Sequence, residues 1–184
     1  MGKQFDCIQT AHHEFILKQK IFFVASAAPS GRVNVSPKGL DTLRILDEHT
    51  VAYLDLTGSG NETAAHLLQL PRLTLMFCAF EGSPMILRLY GTGKIYSPGT
   101  KEYIELLPRF EELPGARQII ALHVETVQTS CGFAVPCFQF EADRAALPAW
   151  ATSKGEEGLR AYREQKNSRS LDGFWTGMFP QEKA

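Results

Sequence analysis

The stretch from Asp55 to Thr63, which reads Asp-Leu-Thr-Gly-Ser-Gly-Asn-Glu-Thr, joins a predicted strand to a predicted helix. The run before it, residues 51–56, is apolar and rich in β-prone side chains. In residues 64–68 apolar side chains recur at helical spacing. Ser59 and Glu62 fit a capping box, in which the serine accepts from a helical amide and the glutamate reaches back. We therefore predict a strand, a glycine turn and a capped helix whose first amides are free to meet an anion.

Two other interpretations of these glycines stay open at this point. A capped turn without any ligand would have the same local sequence. A dinucleotide fingerprint would need a third glycine, and Thr63 stands at that position. Glu81 does fall near the spacing at which that fingerprint has its acidic residue, but the predicted neighbours of the turn are hairpins. A dinucleotide site is therefore disfavoured.

Composition excludes several classes of protein. The 184 residues carry a net charge of −1, which disfavours nucleic acid as a partner, and we expect a single domain over residues 1–184. No apolar run is long enough to span a membrane, and the N-terminus lacks the apolar core of a signal peptide, so we expect a cytoplasmic protein. None of the four cysteines forms a C-x-x-C pair, and we predict no metal site.

The β-prone runs between residues 21 and 129 sum to about six strands, most of them linked by hairpins. One helix, which follows the glycine turn, separates the fourth strand from the fifth. This pattern predicts a mainly β (α+β) fold, an antiparallel barrel or sandwich with flanking helices. Along the strand that follows the first hairpin turn, Asn34 and Ser36 share one face and Lys38 follows in the same parity, a set of groups that suits an anionic or heteroaromatic ligand.

The order of these motifs resembles the pyridoxamine 5'-phosphate oxidase-like family of FMN-binding split barrels. The resemblance covers roughly residues 10–130 and includes Val35-Ser-Pro-Lys-Gly39, the glycine turn and Leu87-Arg-Leu-Tyr-Gly-Thr-Gly93. Motifs in residues 131–184, which hold a loop, a helix and an aromatic tail, look like an uncharacterised branch of that family. The resemblance refines the fold prediction to a six-stranded antiparallel split β-barrel with flanking helices.

The resemblance implies a homodimer with two FMN molecules in clefts between the subunits. Residues 36–38 would lie along the flavin ring or ribityl chain, residues 55–57 would follow from the neighbouring strand, and residues 60–63 would lie near the phosphate. Two further side chains could come from the strand that meets the partner subunit. The implied cofactor-binding residues are Ser36, Pro37, Lys38, Asp55, Leu56, Thr57, Gly60, Asn61, Glu62, Thr63, Arg88 and Tyr90.

One departure from the family pattern concerns the phosphate end of the site. True pyridoxamine phosphate oxidases carry an Arg-Lys pair where this chain has Glu62-Thr63. The phosphate would then need a cation from Lys38, Arg44 or Arg88, or Glu62 would have to be held in the capping box and point away. Because the family's C-terminal substrate pattern is also missing, pyridoxamine phosphate is not assigned as the substrate.

We therefore expect an FMN-dependent oxidoreductase that acts with a small-molecule substrate or electron donor. No catalytic side chain is named, because flavin chemistry belongs mainly to the cofactor. The alternative is a split barrel that holds flavin or haem without turnover. Haem would need an axial ligand, for which His66 and His123 are the candidates. The tail, residues 173–179, is too aromatic to stay in water and should dock on the body or on a second subunit.

Overall fold

The computed structural model describes residues 2–181 and contains one antiparallel sheet flanked by helices. The strands are β1 (Lys3–Phe5), β2 (Phe22–Ser26), β3 (Asn34–Lys38), β4 (Leu43–Asp47), β5 (Thr50–Leu56), β6 (Arg72–Cys78), β7 (Ile86–Tyr96) and β8 (Ala116–Ser130). The α-helices are α1 (Thr10–Lys18), α2 (Glu62–Gln69), α3 (Lys101–Leu106) and α4 (Ala146–Asn167). The predicted mainly antiparallel fold with flanking helices is confirmed, and residues 2–181 contain eight strands where six were expected.

Seven strands follow one another in the order β3-β2-β6-β7-β8-β5-β4, and every pair is antiparallel. β8 is long enough to pair with β7 along one edge and with both β5 and β1 along the other. Of the two strands beyond the expected six, β1 has only three residues, too few to show an alternating pattern in the sequence. Pro37 lies in β3, where it is tolerated because β3 is at the end of this order and one side of it needs no ladder bond.

The sheet curls around an apolar interior. Inward-facing residues of β2, β5, β6, β7 and β8 form the main core, and large side chains such as Tyr53, Phe77 and Leu89 are at most 1% exposed. α1 and α2 add Ile16 and Leu67 to this core. A second cluster, which includes Leu54 and Ile119, lies against α3. Curling brings the end of β3 next to β5, although four strands separate them in the sheet order.

α4 and the residues after it pack against the barrel. α4 is interrupted at Gly155, whose φ of 63° lies in the left-handed region that glycine tolerates. Thr176 of the aromatic tail is buried, and its hydroxyl donates to the carbonyl of Asn167 at 2.6 Å. Gly177 lies close to Leu68 of α2. The tail thus docks on the body of its own chain. In residues 2–181, no helix has the length and apolar character needed to cross a membrane.

Candidate functional site

The glycine turn, residues 57–61 between β5 and α2, is bound by two side chains from other elements. Arg117 at the start of β8 donates from Nη1 to the carbonyl of Gly60 at 2.9 Å. Asn167 at the end of α4 donates from Nδ2 to the carbonyl of Gly58 at 3.1 Å. Arg117 also donates to Oδ1 of Asn167 at 2.9 Å, so the two supports are joined. These hydrogen bonds connect the turn to β8 and α4.

Asp55 is the centre of a buried charge network under the turn. Its Oδ2 accepts from Nε of Arg117 at 2.7 Å and from Nε2 of Gln118 at 2.9 Å, while its Oδ1 accepts from Nζ of Lys38 at 2.7 Å. Burial by itself would raise the pKa of Asp55, but the charges of Arg117 and Lys38 outweigh it and hold the pKa well below its ordinary value. Asp55 is therefore ionised at neutral pH and binds two cations near the turn.

β3 presents a row of polar side chains opposite α2. Asn34, Ser36 and Lys38 share one face of the strand, as the alternation predicts. Ser36 donates to Oδ1 of Asn34 at 3.1 Å, and Asn34 donates to Oγ1 of Thr63 at 3.3 Å. The face is thus already linked to the first turn of α2.

These elements enclose a groove of about 480 Å³. Its lining combines the polar face of β3, the end of β5, the glycine turn and the first turn of α2. Seven of the twelve predicted cofactor-binding residues line it: Ser36, Lys38, Asp55, Leu56, Gly60, Glu62 and Thr63. The groove is therefore the candidate functional site.

The other five predicted residues lie outside the lining. Pro37 is exposed on the opposite face of β3, and Thr57 is buried and bonded to the carbonyl of Gly115 and to Arg163. Asn61 is buried and accepts from Gln118 at 2.8 Å. The remaining two are on β7, where Arg88 donates to Ser130 and Tyr90 donates to Gln128. Within one chain, the side chains of Arg88 and Tyr90 do not reach the groove.

The capping box predicted for Ser59 and Glu62 is wrong. Asn61 is the N-cap residue of α2, and Glu62 is the first residue of the helix. The carboxylate of Glu62 instead accepts from the backbone amide of Leu171, at 3.0 and 3.1 Å from its two oxygens. Glu62 still lines the groove, so it has not turned away from the expected phosphate end.

The segment after α4 makes a second contact across the mouth of the groove. Asp172 accepts from the backbone amide of Arg32 at 2.7 Å and from the guanidinium of the same residue. Arg32 belongs to the turn between β2 and β3 and also lines the groove. Of the three cations considered for the phosphate, Lys38 lies in the groove, whereas Arg44 binds Asp41 and the carbonyl of Arg109 elsewhere.

The two histidines considered as haem ligands lie in different environments. His66 is 1% exposed, lines the groove and shares a hydrogen bond of 3.1 Å between its Nδ1 and Oγ of Ser26. Among residues 2–181, no hydrogen-bond partner is found for its Nε2. His123 is exposed on β8 beside His49, away from the groove.

A larger groove of about 1120 Å³ lies elsewhere, between α1, the β6–β7 hairpin and Phe138–Phe140. Its lining is mainly apolar and contains none of the predicted site residues. Size alone therefore does not identify the site, and we base the assignment on the convergence of polar groups in the smaller groove.

A family model described as pyridoxamine 5'-phosphate oxidase matches residues 8–131 of the chain. The chain belongs to the pyridoxamine 5'-phosphate oxidase family. It is also 39% identical over 181 residues to the pyridoxamine 5'-phosphate oxidase family protein ustO of Aspergillus flavus, in an alignment that covers 88% of this chain and 72% of ustO. Because that coverage exceeds residues 8–131, the similarity continues into the C-terminal segment.

Solved structures of the family share the split-barrel fold. A Lactobacillus delbrueckii protein assigned as a pyridoxamine 5'-phosphate oxidase superposes with a TM-score of 0.54 at 17% identity, covering 67% of this chain and 94% of that one. HupZ of Group A Streptococcus superposes with a TM-score of 0.51 at 21% identity, covering 65% of this chain and 91% of that one. At such identities the likeness concerns the fold alone, and it confirms the predicted split barrel.

Proposed function

We propose that the protein binds FMN in the groove between β3 and α2 and uses it as a flavin-dependent oxidoreductase. The observation that carries the proposal is the convergence of Ser36 and Lys38 with the glycine turn in one groove of a chain that belongs to this family. The bound flavin would supply the redox chemistry. The residues of the chain bind and orient it and tune it through hydrogen bonds.

The donors along β3 suit the ring and ribityl parts of a flavin. The Nζ atom of Lys38 can donate to ring carbonyls, ring nitrogens or ribityl oxygens, and the oxygen of Ser36, whose O–H donates to Asn34, can accept from a ribityl hydroxyl. His66 lines the groove, and its buried Nε2 has no hydrogen-bond partner among residues 2–181, which in a native structure calls for an explanation. A polar ligand nearby would provide one. On this observation the groove fits a flavin.

The phosphate end has a different charge balance from that of the family pattern. Three carboxylates, from Asp55, Glu62 and Asp172, oppose three cations, from Arg32, Lys38 and Arg117. Asp55 binds Lys38 and Arg117. Of these three cations, Arg32 is the one that Asp55 does not bind. The formal charges of these six side chains sum to zero, so a phosphate bound here would lie among groups with no net positive charge.

We include a homodimer in the proposal. Within the described residues, the side-chain hydrogen bonds of Arg88 and Tyr90 go to β8, and neither residue lines the groove of its own chain. In the proposed assembly, Arg88 and Tyr90 of a second copy lie next to the flavin. The resemblance to the family implies the same arrangement. Light scattering of the purified protein should then give twice the chain mass of 20.5 kDa.

The second candidate is a binding protein without turnover. The observation in its favour is the Leu171–Asp172 contact across the groove, because such a cover restricts the access of a reductant. A small-molecule electron donor must reach the ring for the first candidate to hold. The haem version would require His66 to leave its buried position or a site at His123 outside the groove.

The visible absorption spectrum of the purified, untagged protein tests the proposal, with any released cofactor identified by mass. A flavin spectrum and the mass of FMN are the expected result. A colourless protein that also fails to bind added FMN would contradict it. If flavin is bound, anaerobic addition of NADH or NADPH separates the two candidates, since a flavin that is never reduced at a useful rate favours binding without turnover.

A further inference from the structure

The segment 168–176, here called the strap, is a tight loop that follows α4. Its backbone is closed by hydrogen bonds from Ser170 to the carbonyl of Phe174 and from Thr176 to the carbonyl of Ser168, at 2.8 and 3.1 Å. Leu171 and Asp172 lie at the tip of this loop. The tip therefore reaches the groove as a structured unit.

Two consecutive residues of the strap bind opposite sides of the groove mouth. The amide of Leu171 donates to Glu62 on α2, and the carboxylate of Asp172 accepts from Arg32 in the β2–β3 turn. The strap thus bridges the groove where α2 and this turn face each other. A ligand group bound between α2 and the β2–β3 turn would therefore compete with Leu171 and Asp172 for this space.

The β2–β3 turn binds the Asp172 carboxylate with the kinds of donor that also bind other anions. It offers a backbone amide and a guanidinium, both from Arg32. Gly31 has a φ of +86°, and a Cβ added there would lie 2.5 Å from Oδ2 of Asp172. The lack of a side chain at Gly31 thus permits the close approach of an oxyanion. A carboxylate and a phosphate are bound by the same donors, with arginine the preferred partner of both.

We infer that Arg32 and its turn form the phosphate subsite of the groove, and that Asp172 is an internal anion which the phosphate displaces. This inference rests on the proposed FMN binding and names the residues that would replace the family's Arg-Lys pair. The alternative position, directly at the start of α2, carries the carboxylate of Glu62. A phosphate with about −1.5 to −2 charges is repelled there and attracted to the guanidinium of Arg32.

The test compares FMN with riboflavin, which differ only in the phosphate. Dissociation constants for both are measured by flavin fluorescence in the wild type, Arg32→Gln, Asp172→Asn and the control Asp41→Asn. Asp41 forms a similar pair with Arg44, away from the groove. The ratio of the two constants cancels any effect of a variant on ring binding.

We expect Arg32→Gln to lower the preference for FMN over riboflavin by about tenfold, the effect of losing one charge-assisted hydrogen bond. Asp172→Asn should raise the same preference by about tenfold, because the competing charge is gone. Asp41→Asn should leave it unchanged. If riboflavin and FMN bind but both groove variants keep the wild-type ratio, the inference is overturned while the proposed function stands.

Hydrogen exchange gives a second, independent readout. FMN should increase amide exchange in the strap of the wild type, and riboflavin should not, because only the phosphate competes with Asp172. Unchanged strap protection in the presence of saturating FMN would overturn the displacement of Asp172. If neither flavin binds to the wild type, the proposed function itself fails and the subsite with it.

Discussion

The ammonium group of Lys38 lies 2.7 Å from Oδ1 of Asp55, although four strands of the sheet separate β3 from β5. Lys38 is on β3, the first strand of the sheet order, and the curl of the sheet brings it to Asp55 on β5. Asp55 is buried, and it also holds Arg117 on β8. One carboxylate therefore connects three strands at the floor of the groove.

The first prediction concerns stability and pH. Asp55→Asn should lower the free energy of unfolding at pH 7 by about 3–5 kcal/mol, because Lys38 and Arg117 lose their buried counter-ion. The pKa of Asp55 is depressed in the folded state, so its stabilisation is complete above the unfolded pKa of about 3.9. It is lost progressively as the pH falls below that value. Urea unfolding at several pH values should therefore show the difference from the wild type shrinking in acid.

Asp41→Asn is the matched control for this measurement. Its pair with Arg44 is exposed, with 75% of the Asp41 side chain accessible, so its effect should stay within about 1 kcal/mol. Asparagine also tolerates the positive φ of 50° at this position. Equal losses in the two variants would contradict a special role for the buried network.

The second prediction concerns the rigidity of the glycine turn. Arg117→Gln removes the donor to the carbonyl of Gly60 and the contact with Asn167. Hydrogen exchange of the amides of residues 58–61 should increase, since the carbonyl of Gly60 then loses its donor. Arg44→Gln, which also removes an arginine that binds backbone carbonyls, should leave these amides unaffected.

The third prediction concerns the flavin. Lys38→Met keeps most of the side-chain volume and removes the charge, so FMN and riboflavin should both bind at least about tenfold more weakly, as expected for the loss of a charged donor. Lys94→Met, an exposed lysine that pairs with Glu102, is the control. Circular dichroism checks that both variants fold. Wild-type affinity for both flavins in Lys38→Met would exclude Lys38 from the site.

The fourth prediction tests the proposed assembly. Arg88→Met should weaken FMN binding even though Arg88 does not reach the groove of its own chain, because the proposal gives this residue to the site of a second copy. Light scattering must show a dimer for this variant as for the wild type. A monomeric wild-type protein that binds FMN with full affinity would show that β7 contributes nothing to the site.

The fifth prediction separates backbone strain from crowding at the strap. Gly31 and Gly99 have similar φ values of +86° and +90°, but an added Cβ meets Asp172 at Gly31 and nothing within 4 Å at Gly99. Both alanine variants should lose about 1–2 kcal/mol of stability from strain. Only Gly31→Ala should also expose residues 168–176 to limited proteolysis. Equal cleavage in the two variants would mean that the close approach at Gly31 does not hold the strap.

Local patterns in the sequence predict most of the elements correctly. The two hairpins before α2, the apolar strand β6 and the alternating strand β7 follow from period and turn residues. The polar face of Asn34, Ser36 and Lys38 follows from the same alternation. These features depend on neighbours a few residues apart, which is the range over which a sequence pattern is informative.

The network beneath the turn was missed because its partners are far apart in the chain. Arg117 and Asn167 are separated from the glycines by about fifty to one hundred residues. A signal was present, since Asp55 and Arg117 are both charges next to strand residues that read as fully buried, and such charges need partners. The capping box failed for the same reason, because the amide that Glu62 binds comes from Leu171.

The support of Gly58 by Asn167 has an evolutionary consequence. The family model ends at residue 131, yet one of the two side chains that orient the glycine turn comes from α4. The C-terminal extension is thus not an appendage that relatives could exchange freely. In relatives that share this segment, substitutions at positions 117 and 167, whose side chains bind each other, should therefore occur together, and the segment should be lost only where another group binds the carbonyl of residue 58.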